Sequence, residues 1–381
     1  MSLFDPHAIG SKRVPNRFVA LPVETNLADG DRGLSEHSLA RYSQLADGGW
    51  GTVVLEATSV SRTSVGGVRG LVLDDQTALG FERLVADFKQ RNPEGALLLQ
   101  LTHSGRNSRP PTDRVTVCPA PLERARYLST EDIEGIRGQF VETALLAETL
   151  GFDGVEIKAC HGYFGAEILR PANTRPDRWG GTFDNRVRFL EEAAMEVRAR
   201  RQSADFLLGS RISCYENTPG GMGTAGPDTT NLDFTEIAEL LRRLGRLTMD
   251  FVIITSARPE PWPPAADLGP EEREEPLLWF ERLTKECVDR DHLGLTVIGA
   301  GYSTFGDRAV AVAEARIAQG VADLPGWGRL TYADPLFPKK LQAGEAVDWC
   351  VGCMACGRGF SEGKATGCFV HASPWLEPDV H

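Results

Sequence analysis

Residues 154–190 read GVEIKACHGYFGAEILRPANTRPDRWGGTFDNRVRFL: a short apolar, β-branched run, a polar connection rich in Gly, Pro and Arg, then the start of an amphipathic stretch. The pattern predicts a strand over 154–159 and a helix over 183–201, since brief apolar runs and 3.6-residue periodicity mark those two elements. The same unit recurs along the whole chain. RFVALP (17–22), GTVVLEAT (51–58) and ALLLQLTH (96–103) precede helical stretches 35–48, 79–92 and 130–150. FLLGSRIS (206–213), DFVIITS (250–256), LTVIGAG (295–301) and ADLPGWGR (322–329) precede 233–245, 275–288, 306–319 and 333–342. Near-continuous apolar strands imply burial on both faces, as in a parallel sheet. Eight sequential units without reversal predict an α/β fold, a closed (β/α)8 TIM barrel rather than an open doubly wound sheet. The barrel takes residues 1–343, and a short Cys-rich C-terminal extension takes 344–381.

The composition, 41% hydrophobic and 25% charged over 381 residues, is that of a globular protein. A formal net charge of -12 argues against a nucleic-acid groove, which needs clustered Lys and Arg. The N-terminus lacks the pattern of a signal peptide, and no run reaches the roughly 18 apolar residues of a membrane span, so a cytoplasmic location without membrane attachment is expected. Of eight cysteines, Cys118, Cys160, Cys214 and Cys287 are scattered and expected to be buried as small apolar groups. The other four crowd into CVGCMACGRGFSEGKATGC (350–368), and in a reducing compartment such a cluster reads as metal ligands.

In a barrel of this kind the chemistry sits where strands end. The connections 104–129, 214–232 and 257–274 all follow strands and should lie on that face; GGMGTAG (220–226) and PEPWPPAADLGP (259–270) read as loops that are either mobile or lid-like. Gly301, Gly328 and Arg329, after the seventh and eighth strands, suit phosphate binding through backbone N–H groups and a guanidinium. Each glycine alone is ordinary turn chemistry; the pair with an adjacent arginine favours phosphate.

HGYFGAEILRPANTRPDRWGGTFDNRVRFL (161–190) resembles the signature of the old yellow enzyme family of FMN-dependent oxidoreductases. NRFVALP (16–22), GWGTVVLEAT (49–58), QLTHSGR (100–106), SRIS (210–213) and GRLTYADP (328–335) fall in the order of that family's other motifs. The resemblance implies FMN over the barrel mouth, with Pro22 and Val23 beneath its ring, Ala57 beside it, and Gln100 and Arg211 at its pyrimidine edge. A guanidinium there would stabilise the anion of reduced flavin. Tyr163 would correspond to the family's proton donor to an activated double bond, and His161 to one of two groups that hydrogen-bond the substrate carbonyl.

Three features depart from the family pattern. Lys158 stands where the second carbonyl-binding group is commonly histidine; it still donates a hydrogen bond and adds a charge. Glu24 stands where relatives have Cys or Thr; a carboxylate there lowers the flavin potential unless it is protonated or paired with Lys158, and it could hold a cationic amine. No cysteine precedes residue 118, so FMN should be non-covalent. Thirdly, larger members resembling 2,4-dienoyl-CoA reductase and trimethylamine dehydrogenase carry C-x2-C-x3-C-x11-C after the barrel, holding a [4Fe–4S] cluster. Here Cys350, Cys353, Cys356 and Cys368 are spaced x2, x2 and x11. Iron–sulfur, favoured by family position, and zinc, which suits the spacing as well, both stay open.

The expected function is an ene-reductase reducing an activated C=C of an enone, enoate or enoyl thioester, with NAD(P)H as electron donor. One alternative is a dehydrogenase or demethylase oxidising an amine or alicyclic substrate, its electrons leaving through the cluster to a separate redox partner protein. The other is a non-catalytic flavin barrel. Homo-oligomerisation is common among members.

Overall fold

The computed structural model describes residues 2–119, 125–256 and 276–376. Eight parallel strands form one sheet: β1 Val19–Ala20, β2 Thr52–Ser59, β3 Ala96–Thr102, β4 Gly154–Ala159, β5 Leu207–Tyr215, β6 Phe251–Ser256, β7 Thr296–Ile298 and β8 Gly326–Trp327. Each pairs with its sequence neighbour, β8 returns to β1, and a parallel bridge from Ile298 to Leu324 brings β7 to the approach of β8. The barrel is thus nearly closed. Around it lie α1 Glu36–Asp47, α2 Ala78–Arg91, α3 Thr130–Thr149, α4 Phe183–Arg200, α5 Thr235–Arg246, α6 Pro276–Arg290, α7 Ala309–Ala318 and α8 Phe337–Ala343. Helix starts follow side-chain chemistry: Ser129 and Asp132 form a capping box at α3, and Thr182 Oγ accepts from Asn185 N at α4.

Three strands, β1, β7 and β8, are shorter than the sequence predicts. β1 and β8 pair over two residues each, being bounded by Pro22 and Pro325, which have no N–H for a ladder. The single helix expected over 333–342 is two, Leu330–Ala333 and Phe337–Ala343, because Pro335 breaks the pattern between them.

Strand residues alternate between barrel interior and helix layer. Val53, Leu55, Leu97, Leu99 and Leu101 belong to the large outer core, whereas Val54, Leu98, Leu207, Phe251 and Ile253 form a separate inner cluster. Gly209 makes room there, since a Cβ on it would lie 2.3 Å from the Phe251 ring. Below, a hairpin pairing His7–Ile9 with Lys12–Val14 closes the N-terminal end, adding Ile9 and Val14 to the inner cluster. An aromatic group seals the β8–β1 seam, with Phe18 and Trp327 rings 5.3 Å apart and Trp50 and Phe337 5.8 Å apart.

Past α8 the chain returns to the mouth. Thr366 N donates to Thr25 O at 2.7 Å, Asn26 Nδ2 to Phe360 O at 3.2 Å, and Arg109 Nη1 to Ser361 O at 2.9 Å. Trp375, Leu27 and Tyr332 form a small buried cluster beneath. Among the described residues no helix is long and apolar enough to cross a membrane. The loop 257–274 lies outside the described residues.

Candidate active site at the barrel mouth

Continuing the inward register of the strands, the apolar floor gives way to polar residues. Glu56 on β2, Gln100 on β3, Glu156 and Lys158 on β4, and Arg211 on β5 are all buried. Pairing sets Gln100 beside Glu156 and Lys158 beside Arg211. Gln100 Nε2 donates to Glu156 Oε1 at 2.5 Å. Burial raises the Glu156 carboxyl to about 7, against the opposing pull of Arg211, Gln100 and Lys158. Glu56 is likewise raised to about 7 by burial, although Thr25 N and Oγ1 donate to it at 2.7 and 2.8 Å.

β4 ends in a strained turn. His161 has φ 58° and Gly162 φ 69°, held by His161 N donating to Ser213 Oγ at 3.1 Å and Gly162 N to Glu216 Oε1 at 3.1 Å. That turn delivers Tyr163 to the mouth. Tyr163 Oη donates to Glu24 Oε2 at 2.9 Å, and Lys158 Nζ lies 3.3 Å from the same oxygen. Tyr332 Oη donates to the Glu24 carbonyl at 2.8 Å, fixing the backbone that carries the carboxylate. Burial and then Glu24 push the Tyr163 phenol well above its ordinary range. His161 sits apart from this trio, its Nε2 3.1 Å from Thr255 Oγ1 and its Nδ1 3.6 Å from Cys160 Sγ. Burial, then Arg211 and Lys158, keep its imidazole neutral far below pH 6.5.

The residues expected to bind FMN all fall on the same end of the barrel. Pro22 and Val23 follow β1, Ala57 lies on β2, Gln100 on β3, and Arg211 on β5. Gly301 follows β7 with φ 93°, and Gly328 and Arg329 follow β8, where a Cβ on Gly328 would stand 3.3 Å from Val23 Cγ1. Two buried polar atoms of this layer, Arg211 Nε and Glu156 Oε2, have no hydrogen-bond partner. An orphaned guanidinium N–H at the mouth fits an anionic ring edge, so the residues present suit the flavin.

Much of the signature stretch shapes the β4–α4 connection and stays out of the site. Asn173 Nδ2 donates to Ile168 O and Trp179 O, both at 2.8 Å, and Arg175 Nη1 to Leu128 O at 2.7 Å. Sequence reasoning passed over several residues at the mouth. Ser213 and Thr255, on the next two strands, hold His161, a relationship that only the register reveals, and Tyr332, in the short helix Leu330–Ala333, holds the Glu24 backbone. Arg106, Arg109, Arg114, Gly66 and Phe360 line a cavity of about 380 Å³ with Tyr163. For the three arginines the signal was the arginine-rich 104–129 connection.

As expected, Cys118, Cys160, Cys214 and Cys287 are buried. Cys350, Cys356 and Cys368 are half-buried and Cys353 is exposed. Burial raises the Cys356 thiol, the Gly357 N–H and Arg329 oppose, and nearby Cys350 and Cys353 add to the rise. Among the described residues, however, no three His, Cys, Asp or Glu side chains converge to hold a metal ion. The donor chemistry suits a thiophilic metal; the ligand cage is not formed.

Comparison with known proteins agrees with this architecture. The model of the NADH:flavin oxidoreductase / NADH oxidase family matches residues 2–348. An NADH oxidase of Thermoanaerobacter brockii is 29% identical over 365 residues, 92% of this chain and 52% of that protein. A dimethylamine dehydrogenase of Hyphomicrobium sp. is 27% identical over 380 residues, 93% of this chain and 47% of that protein. The chain thus spans about half the length of these relatives. The solved structure of a 2-naphthoyl-CoA reductase bound to 2-naphthoyl-CoA superposes with TM-score 0.80 at 22% identity, covering 96% of this chain and 56% of that one. Morphinone reductase gives TM-score 0.72 at 23% identity, covering 91% of both chains. Those two likenesses establish the fold. From the match over residues 2–348 and the barrel whose strand ends carry it, the chain belongs to the NADH:flavin oxidoreductase / NADH oxidase family, the old yellow enzyme family of FMN-dependent oxidoreductases.

Proposed function

We propose that the chain is an ene-reductase acting on an activated C=C, with Tyr163 as proton donor and Lys158 and His161 holding the activating carbonyl. The observation that carries this reading is the convergence of Tyr163 and Lys158 on one oxygen of Glu24, at 2.9 and 3.3 Å. FMN, when bound, would supply the hydride, with NAD(P)H as its source. A phenol held above its ordinary range keeps its proton until a strongly basic carbon develops beside it. The Lys158 ammonium, 3.6 Å from the centre of the Tyr163 ring, then steadies the phenolate left behind. Neutral His161 presents one N–H, and charged Lys158 others, to an oxygen on which negative charge builds. Anaerobic mixing tests the reading. NAD(P)H should bleach the flavin and an enone or enoyl thioester restore it; bleaching by an amine instead would sink it.

Glu24 favours a second reading. A carboxylate 19% exposed at the mouth can orient a cationic amine, and the matched relative from Hyphomicrobium sp. is named a dimethylamine dehydrogenase. In that case electrons would leave through the C-terminal cysteines to a redox partner. Under either reading Cys350, Cys353, Cys356 and Cys368 would be the ligands for a [4Fe–4S] cluster or, alternatively, zinc, in the extension over 344–381 that follows the barrel of 1–343, once their thiols converge. A cytoplasmic setting, which keeps thiols reduced, accords with this role.

A further inference from the structure

The cavity of about 380 Å³ that Tyr163 lines carries three arginines, Arg106, Arg109 and Arg114, and no acid among its described lining. In a chain of formal net charge -12 that balance is unusual. Arg106 is already spoken for: its Nε donates to buried Glu167 at 2.7 Å. Arg109 and Arg114 are different. Arg109 Nη1 donates to the Ser361 carbonyl at 2.9 Å and Arg114 Nε to the Ser108 carbonyl at 3.3 Å, and neither meets a carboxylate among the described residues. A guanidinium offers five N–H donors, so one backbone acceptor leaves each with most of its fork free.

The cavity is open toward the phenol because residue 66 is glycine. A Cβ on Gly66 would stand 3.0 Å from both Tyr163 Oη and Cε1, so a side chain there would crowd the phenol's side of the cavity. Arg109 is near enough to Tyr163 to oppose the rise of its phenol. Phe360, from the C-terminal helix Ala355–Ser361, adds an apolar wall. A neutral enone would leave both guanidinium groups without an ionic partner. An apolar body ending in an oxyanion would meet all of these surfaces.

We propose that this cavity is a subsite for an anionic substituent of the substrate, a carboxylate or phosphate group gripped by Arg109 and Arg114 while the reacting carbon lies at Tyr163. The proposal rests on Tyr163 acting on substrate as set out above, and it adds the substrate class: acids or phosphate-bearing thioesters, in preference to neutral enones.

The test is calorimetric binding of two enones to the flavin-loaded protein, 4-(3-oxobut-1-enyl)benzoate and its neutral benzamide, in which the ketone activates the C=C and the carboxylate or amide stands at the far end of the ring. The benzoate should bind about ten-fold tighter, the scale of a charge-assisted hydrogen-bond pair. Arg114→Gln, at an exposed position, should cut that preference several-fold. Arg109→Gln with Arg114→Gln should collapse it to within about two-fold. Inorganic pyrophosphate separates the sources: competition with the benzoate points to a phosphate-bearing tail, and no competition to a carboxylate, both within the proposal. Equal binding of the two probes by the native protein, or a preference that survives both variants, would overturn it. If the benzoate is preferred yet neither enone is reduced, the ene-reductase reading fails and the subsite stands; reduction without charge preference gives the reverse.

Discussion

The ammonium of Lys158 lies 3.6 Å from the centre of the Tyr163 ring, and both side chains end on the same carboxylate oxygen of Glu24. A cation over a phenol favours the phenolate, whereas the carboxylate at its oxygen favours the phenol. The proton is therefore held between opposing influences, and a change in either should alter its transfer. Tyr163→Phe keeps the ring under Lys158 and removes the proton. Stopped-flow measurement should show reoxidation of the flavin by alkenes slowed by about 10²- to 10⁴-fold, with reduction by NAD(P)H changed only slightly. Equal losses in both halves would contradict a proton-donor role.

Charge pairing in this trio should also be visible in stability. Lys158 is 3% exposed and Glu24 19%, so Glu24→Gln strands a buried ammonium. The expected cost is about 3 kcal/mol in urea unfolding, at the lower end for breaking a buried pair because Glu24 keeps some water. Adding Lys158→Met removes the stranded charge and should recover most of that loss. A double variant as unstable as Glu24→Gln alone would show that the pair is not coupled.

The barrel was legible from the sequence because each strand announces itself as a short apolar run, and strand β4 matches its expected span of 154–159 residue for residue. The trio of Glu24, Lys158 and Tyr163 was legible as separate strand-end residues. The pairing of Lys158 with Glu24 was among the sequence expectations and is formed; the contact of Tyr163 with Glu24 was not legible, since those two are joined across the mouth by a turn with His161 in a left-handed conformation that no local pattern requires. The helix break at Pro335 was readable in principle and was overlooked because Leu336 and Phe337 continue the apolar pattern. Arg109 and Arg114 were hidden for another reason: a long connection has no periodicity, so which face its side chains line depends on what packs over it, here Phe360 from residues far downstream.

Glu156 should give the barrel a measurable pH dependence. Its folded pKa, raised by burial to about 7, exceeds the ordinary carboxylate value of 4.5, so the folded state binds the proton more tightly. Its contribution is then complete below about 4.5 and is lost as pH rises through about 7. Glu156→Gln should change urea midpoints little at pH 4.5 and raise stability at pH 8 by up to about 3 kcal/mol. Glu56 and Glu281 are raised to about 7 as well, so the variant should keep part of the native slope. A variant with the same slope as the native protein would place the ionisation elsewhere.

The four C-terminal cysteines make the sharpest division between two chemistries. Cys353 is exposed and the other three are half-buried, an arrangement in which a metal could draw the segment inward without disturbing the barrel core. Protein purified without oxygen should carry about four iron and four sulfide per chain with broad visible absorption beyond that of flavin, if the cluster reading holds. One zinc and flavin absorption alone would favour the tetrahedral alternative. Cys353→Ser should lower metal content in either case. Because the extension meets the mouth through Thr366 N on Thr25 O and through Phe360 O on Asn26, metal loss should also loosen it from the barrel. Limited proteolysis should then cut within residues 344–376 several-fold faster while the barrel stays intact, since cleavage follows local opening. Unchanged metal content and cleavage in Cys353→Ser would remove that thiol from the ligand set.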